Sequence, residues 1–231
     1  MTIICLVMFF ARNKKSLALE LLGLHFSNPV GIFRPADSPK KCPRRFLKAG
    51  FLTLEPPQNG IVEWISQLQA IREKTLLAVN LSTDILHSFS LVYDFADILI
   101  IDPCTEKGLQ SRDVADISSL LDEIVNLRLC YEAYTPVFLR LLGDDSPQEI
   151  HSLVSCARLA GLDGLVAPGE AKVRLAMEEC QHRMPVIGMA TSPEEAILEL
   201  QAGAPLTETQ MRPLAMAKLI KYLKNTTPET V

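Results

Sequence analysis

The chain lacks several features that would have settled its class at once. It has no run of about 20 apolar residues, so no membrane-spanning helix is expected. It has no C-x-x-C pair. Its six cysteines, Cys5, Cys42, Cys104, Cys130, Cys156 and Cys180, are scattered and have no histidine partner in sequence. That spacing argues against a zinc site, any other metal site or a disulfide framework, and it favours a reducing, cytoplasmic compartment. No long basic run exists and the net charge is −4, so no nucleic-acid partner is expected. Trp64 is the lone tryptophan, and the four tyrosines are not interleaved with arginine as a base-stacking surface would require. The four histidines stand alone, as surface or satisfied core residues do.

What is present is apolar and punctuated. Hydrophobic residues make up 48% of the 231, enough for one sizeable core. Counted from Asn28, eight short apolar runs end in turn or polar residues: NPVGIF, GFLTLEPP, LLAVNLS, DILIIDP, PVFLRLL, GLVAP, PVIGMA and APLTET. Runs apolar on both faces are parallel strands covered by helices, and eight of them about 25 residues apart read as a shortened (β/α)8 barrel. An open doubly wound sheet is the rival. It would want a glycine-rich turn after the first strand, and Gly31-Ile32-Phe33-Arg34-Pro35 supplies none. No Pro/Gly/Ser linker interrupts residues 1–231, so one domain is expected.

Helix boundaries are marked in the same way. Ser146-Pro147-Gln148-Glu149 and Ser192-Pro193-Glu194-Glu195 read as capping boxes, and Ser38-Pro39 opens a third helix without the glutamate. Lys48-Ala49-Gly50, Leu159-Ala160-Gly161 and Gln201-Ala202-Gly203 each place glycine where a helix stops. Ile150, Leu153, Val154, Ala157 and Ala160 recur at helical spacing, as do Ile61, Trp64, Ile65, Leu68 and Ile71. The opening MTIICLVMFF is too short to span a bilayer, and its charges, Arg12, Lys14 and Lys15, follow the apolar run instead of preceding it. A strand closing the barrel's bottom is the favoured reading. A membrane-touching segment, with peripheral membrane attachment, and an imprecise start site are the others.

In a barrel of this kind the chemistry sits at the C-terminal ends of the strands. The polar residues there are Asp37, Glu55, Asn80 with Ser82, Asp102 with Cys104, Arg140 with Asp144, Glu170, Thr191 with Ser192, and Thr207 with Glu208. Arg140 interrupts an apolar strand, and a guanidinium that deep needs a counter-charge. An ion pair with Asp102 is the favoured expectation, and a bound anionic ligand is the alternative.

LGLHFSNPVGI, Leu22–Ile32, is similar to the opening of the barrel in dihydroorotate dehydrogenases, and the resemblance extends to about Leu206. Ala49-Gly50-Phe51, Leu77-Ala78-Val79-Asn80, Asp97 to Leu109, Gly161-Leu162-Asp163-Gly164-Leu165 and Pro185-Val186-Ile187-Gly188 carry it along the chain. The quinone-linked class fits best. The resemblance implies an FMN-dependent oxidation of dihydroorotate to orotate in pyrimidine biosynthesis. It would place Asn80 and Arg140 on the flavin and Gly188, Thr191 and Ser192 at its phosphate. It would also place Asp37 and Asp102 on the substrate, and Cys104 within one residue of the catalytic base.

The sequence also departs from that pattern. The first-strand loop reads Phe33-Arg34-Pro35-Ala36, and Ser38 stands where the family has a substrate lysine. Pro57-Gln58 replaces a Gly-Thr, Ile100 to Thr105 replaces the catalytic-loop motif, and Arg140 replaces a lysine. Val166-Ala167-Pro168-Gly169 lacks a substrate asparagine. Glu208 is expected beside the phosphate, where like charges about 4 Å apart repel by about 4 kcal/mol at an effective dielectric of about 20. Three functions therefore stand open: a homologue without efficient flavin binding, serving as a structural or regulatory partner; a working divergent flavoenzyme; and a barrel rebuilt for another small anion. Homo- and hetero-oligomers are both compatible with the sequence.

Overall fold

The computed structural model describes residues 16–34, 48–103 and 114–226. The apolar opening run, the Ser38-Pro39 helix start, Asp37 and Cys104 lie outside those residues.

Eight parallel strands close into a barrel: β3 (Val30–Arg34), β4 (Phe51–Leu54), β5 (Leu76–Leu81), β6 (Ile98–Ile101), β7 (Val137–Arg140), β8 (Gly164–Pro168), β9 (Val186–Ala190) and β10 (Leu206–Thr209). Each pairs with the next in sequence, and β10 closes on β3 with Thr207 opposite Val30 and Thr209 opposite Ile32. All eight apolar runs form strands of this barrel. Their side chains alternate between two buried environments, the lumen and the space beneath the helices, which is why most of the strands are apolar on both faces; β10 is the exception, with Thr207, Glu208 and Thr209 all buried.

An antiparallel hairpin, β1 (Leu19–Leu21) and β2 (Leu24–Phe26), precedes the barrel. Phe26, 1% exposed, meets Phe51 edge-on with ring centroids 5.9 Å apart. The hairpin thus joins the luminal cluster of Phe51, Ala78, Ile98, Phe138, Val166, Ile187 and Leu206, and it plugs the lower end.

Described helices follow every barrel strand but β3: α1 (Ile61–Ile65) and α2 (Gln69–Arg72), α3 (Ile85–Val92), α4 (Val114–Arg128), α5 (Pro147–Ala160), α6 (Gly169–Glu179), α7 (Pro193–Gln201) and α8 (Pro213–Thr226). The expected capping box at Ser146 is complete, and Gly161 ends α5 at φ 79°, a conformation that favours glycine. The period from Ile61 to Ile71 is kept, but as two short helices. Trp64, Ile65, Leu68 and Ile71 still face inward across the break.

Candidate functional site

The strand ends carry a buried polar layer above the apolar luminal cluster. Thr53, Asn80, Asp102, Arg140 and Glu208 are all at most 8% exposed. Arg140 on β7 and Glu208 on β10 are not on neighbouring strands, so their side chains can meet only across the lumen. They do so at 2.7 Å between Nη2 and Oε1. The two atoms face one another as an ion pair without hydrogen-bond alignment, and neither has a hydrogen bond elsewhere. Thr53 Oγ1 donates to the other Glu208 oxygen at 2.9 Å.

The rest of the guanidinium is enclosed. Nε donates to Asn80 Oδ1 at 2.9 Å, and Nη1 points at the Met189 sulfur at 2.7 Å. The Phe33 ring lies under the guanidinium carbon at 5.1 Å. The expected Asp102 partner is present but longer, at 3.5 Å from Nε. The sequence thus pointed to a counter-charge for Arg140 and to a pair with Asp102; the shorter pair is with Glu208. Glu208 also corrects a second expectation. Its carboxylate is buried in the lumen against a cation, not projected where a phosphate would approach. Asn80 is likewise occupied at both ends, since its amide donates to Glu55 Oε1 at 3.5 Å, and Ser82 Oγ donates to the same oxygen.

A second cluster lies between β8, β9, β10 and the start of α7. Glu195 Oε2 accepts from the Thr191 backbone N–H at 2.7 Å and from Thr191 Oγ1 at 2.8 Å. Ser192 caps α7 by accepting from Glu195 N at 3.1 Å. The box read at Ser192 is therefore half made: its glutamate reaches Thr191 instead of the Ser192 backbone. An anion at a helix N-terminus is stabilised by the free N–H groups and the dipole, and here the protein's own carboxylate takes that position.

One turn further along α7, Glu199 is fully buried. It accepts from Thr207 Oγ1 at 2.6 Å and from the Gly169 backbone N–H at 3.0 Å. Burial pushes its carboxyl up to about 7, aided by the nearby Glu195 charge, while the Thr207, Gly169 and Met189 donors pull the other way. A Cβ added at Gly188 would lie 2.2 Å from Glu199 Oε2, so the bare backbone there makes room for this side chain.

Of the residues read as functional, Asn80, Asp102 and Arg140 converge in the lumen. Gly188, Thr191 and Ser192 gather at the β9–α7 junction. Thr53, Glu195 and Glu199 were not singled out. Glu199 had one signal, since it falls on the same helical face as the fully buried Ala196 three residues earlier. Among the described residues, no group of His, Cys, Asp and Glu could hold a metal, and no helix is long and apolar enough to cross a membrane.

A closed (β/α)8 barrel with a charged layer at its strand ends is a scaffold shared by many enzymes. Within that class the chain resembles the quinone-linked dihydroorotate dehydrogenases. The enzyme of this name from Idiomarina loihiensis is 23% identical over 88% of this chain and 84% of its own length. That from Shewanella pealeana is 23% identical over 87% and 83%. The ligand-free DHODH from Eimeria tenella superposes with a TM-score of 0.74, covering 94% of this chain and 88% of the other, at 16% identity. The deoxyribose phosphate aldolase from Aeropyrum pernix also superposes, with a TM-score of 0.66. No family model matches the chain.

Proposed function

We propose that residues 1–231 form a single dihydroorotate dehydrogenase-like barrel that has lost efficient flavin binding and acts without dihydroorotate turnover. Its role would then be that of a structural or regulatory partner in the cytoplasm. The carrying observation is Glu195. The family resemblance implies that FMN would set its phosphate on Gly188, Thr191 and Ser192. Both Thr191 donors are engaged by the Glu195 carboxylate, and the space over Gly188 is filled by that of Glu199. A phosphate dianion there would meet the Glu195 carboxylate, and at about 4 Å that costs on the order of 4 kcal/mol per unit charge at an effective dielectric of about 20. The residues present do not fit the phosphate, so no catalytic step is derived through a flavin.

The second reading is a divergent flavoenzyme with Cys104 as base. Glu208 favours it, because its carboxylate is held inside the lumen and is not an obstacle at the strand-end loops. The test is the visible absorbance of the purified protein before and after incubation with FMN and desalting. The first reading expects no retained colour and no change in melting temperature with FMN. Retained yellow colour with dihydroorotate turnover would replace it with the second.

A further inference from the structure

We propose that Glu199 is a proton-operated control on Glu195. While Glu199 is neutral, Glu195 stays on Thr191; when Glu199 ionises, Glu195 turns out to solvent and uncovers both Thr191 donors. The proposal rests on the reading that Glu195 covers the start of α7, and it adds how that cover is released. The two carboxylates are one helical turn apart on α7 and so lie on one face. Both converge on Gly169, the first residue of α6. Glu199 Oε1 accepts the Gly169 N–H at 3.0 Å, and Glu195 Oε1 lies 3.6 Å from where a Cβ on Gly169 would sit. Every hydrogen-bond partner of the two carboxylates is neutral: Thr191 for Glu195, and Thr207 with the Gly169 and Met189 backbone for Glu199. A second negative charge in this space is therefore opposed by the first, with no cation among those partners.

Only one of the two can give way. Glu199 is fully buried, and the bare backbone of Gly188 confines it from one side. Glu195 is half-buried beside the exposed Thr191, so it has a short route to water. The proton also has a place. Thr207 Oγ1 lies 2.6 Å from Glu199 Oε2, and a hydroxyl donates to a carboxylate or accepts from a protonated carboxyl, so Glu199 stays partnered in both states. Burial raises the Glu199 carboxyl to about 7, and Glu195 is the charge that adds to the rise. α6 faces it with the Gly169 N–H, β9 with Gly188 and Met189, and β10 with Thr207. Other charges on α6 and α7 are engaged elsewhere or exposed: Glu170 pairs with Arg174, Lys172 donates to the Asp145 carbonyl, and Glu194 is in solvent. None of the principal influences on Glu199 comes from α8, which also packs on α7.

Amide nuclear magnetic resonance reads both ends of the device, Gly169 for Glu199 and Thr191 for Glu195. From about pH 5.5 to 8.5 in wild type, the two amide proton resonances should titrate together with a midpoint near 7. Thr191 should move upfield as it loses its charged acceptor. Glu199→Gln keeps position 199 neutral, so Thr191 should hold its low-pH resonance across the range. Glu199→Met is a second neutral variant, to be used should the first not fold. In Glu195→Gln, Gly169 should still titrate, with a lower midpoint, and Thr191 should be flat. A wild-type Gly169 that titrates beside an unmoving Thr191 would overturn the proposal, and that result needs no variant. So would a flat Gly169, or a Thr191 titration that persists in the Glu199 variants. FMN retained by wild type would overturn the function proposed above, whereas these resonances are read without flavin and decide the control alone.

Discussion

Gly188 and Glu199 occupy one space: a Cβ on the first would lie 2.2 Å from a carboxylate oxygen of the second and 2.9 Å from its Cβ. The helix side chain is pressed against bare strand backbone, and no rotation of the carboxylate alone relieves the contact. Gly188→Ala should therefore cost roughly 2–3 kcal/mol of stability by overpacking. Urea unfolding measures this, and the same substitution in a Glu199→Ala background should cost at least about 1 kcal/mol less. Equal costs in the two backgrounds would separate Gly188 from Glu199.

Glu199 makes stability depend on pH in an unusual direction. Its carboxyl is raised from 4.5 to about 7 in the folded protein, so the folded state binds the extra proton between those values. Stability attributable to this residue is therefore greatest at and below about pH 4.5, falls as pH rises, and is fully lost above about 7. The span corresponds to about 3 kcal/mol at 1.36 kcal/mol per pH unit. The unfolding free energy of wild type minus that of Glu199→Gln, measured from pH 4 to 8, should fall by an amount of this order. A flat difference would show that Glu199 titrates normally.

Glu195 should control what the start of α7 binds. Glu195→Ser frees both Thr191 donors and removes one like charge from the phosphate position. FMN affinity, followed by quenching of flavin fluorescence, should improve at least about tenfold, with a thousandfold as the ceiling for 4 kcal/mol. Loss of the carboxylate from the helix start should cost about 0.5–1 kcal/mol in stability. An unchanged FMN affinity would show that Glu195 is not the obstacle.

Breaking the luminal ion pair from one side should be worse than removing it whole. Arg140→Met strands the fully buried Glu208 carboxylate and should cost about 3–5 kcal/mol. The double variant Arg140→Met/Glu208→Leu should recover about 2 kcal/mol of that loss. Thermal unfolding of wild type, Arg140→Met, Glu208→Leu and the double variant completes the cycle, and simple additivity would mean that the pair contributes no coupling.

Phe26→Ala should cost about 3–5 kcal/mol, because the buried ring plugs the lumen against Phe51. Loss of near-ultraviolet dichroism at lower urea than in wild type would report it. A cost below about 1 kcal/mol would mean that the hairpin is dispensable to the barrel.

The order of the fold was legible in the sequence because it is written in local signals. Eight apolar runs, the Ser146 capping box and the glycine stop at Gly161 each act over a few residues, and each appears where its residues put it. The barrel's closure follows from those runs being apolar on both faces, which demands helices outside and packing within. Luminal pairing is different in kind. Arg140 needed a counter-charge on grounds of burial alone, but the identity of the partner depended on which side chains crossed the lumen. Glu208 lies 68 positions along the chain and on a strand that β7 never touches. The same holds for Glu195, whose helical position fitted a capping box with Ser192 while the folded turn brought Thr191 closer. Periodicity and punctuation determined that this chain is a barrel. Closure of the barrel decided which charges face each other at its mouth, because Coulomb and hydrogen-bond energies depend on distances that no sequence spacing encodes.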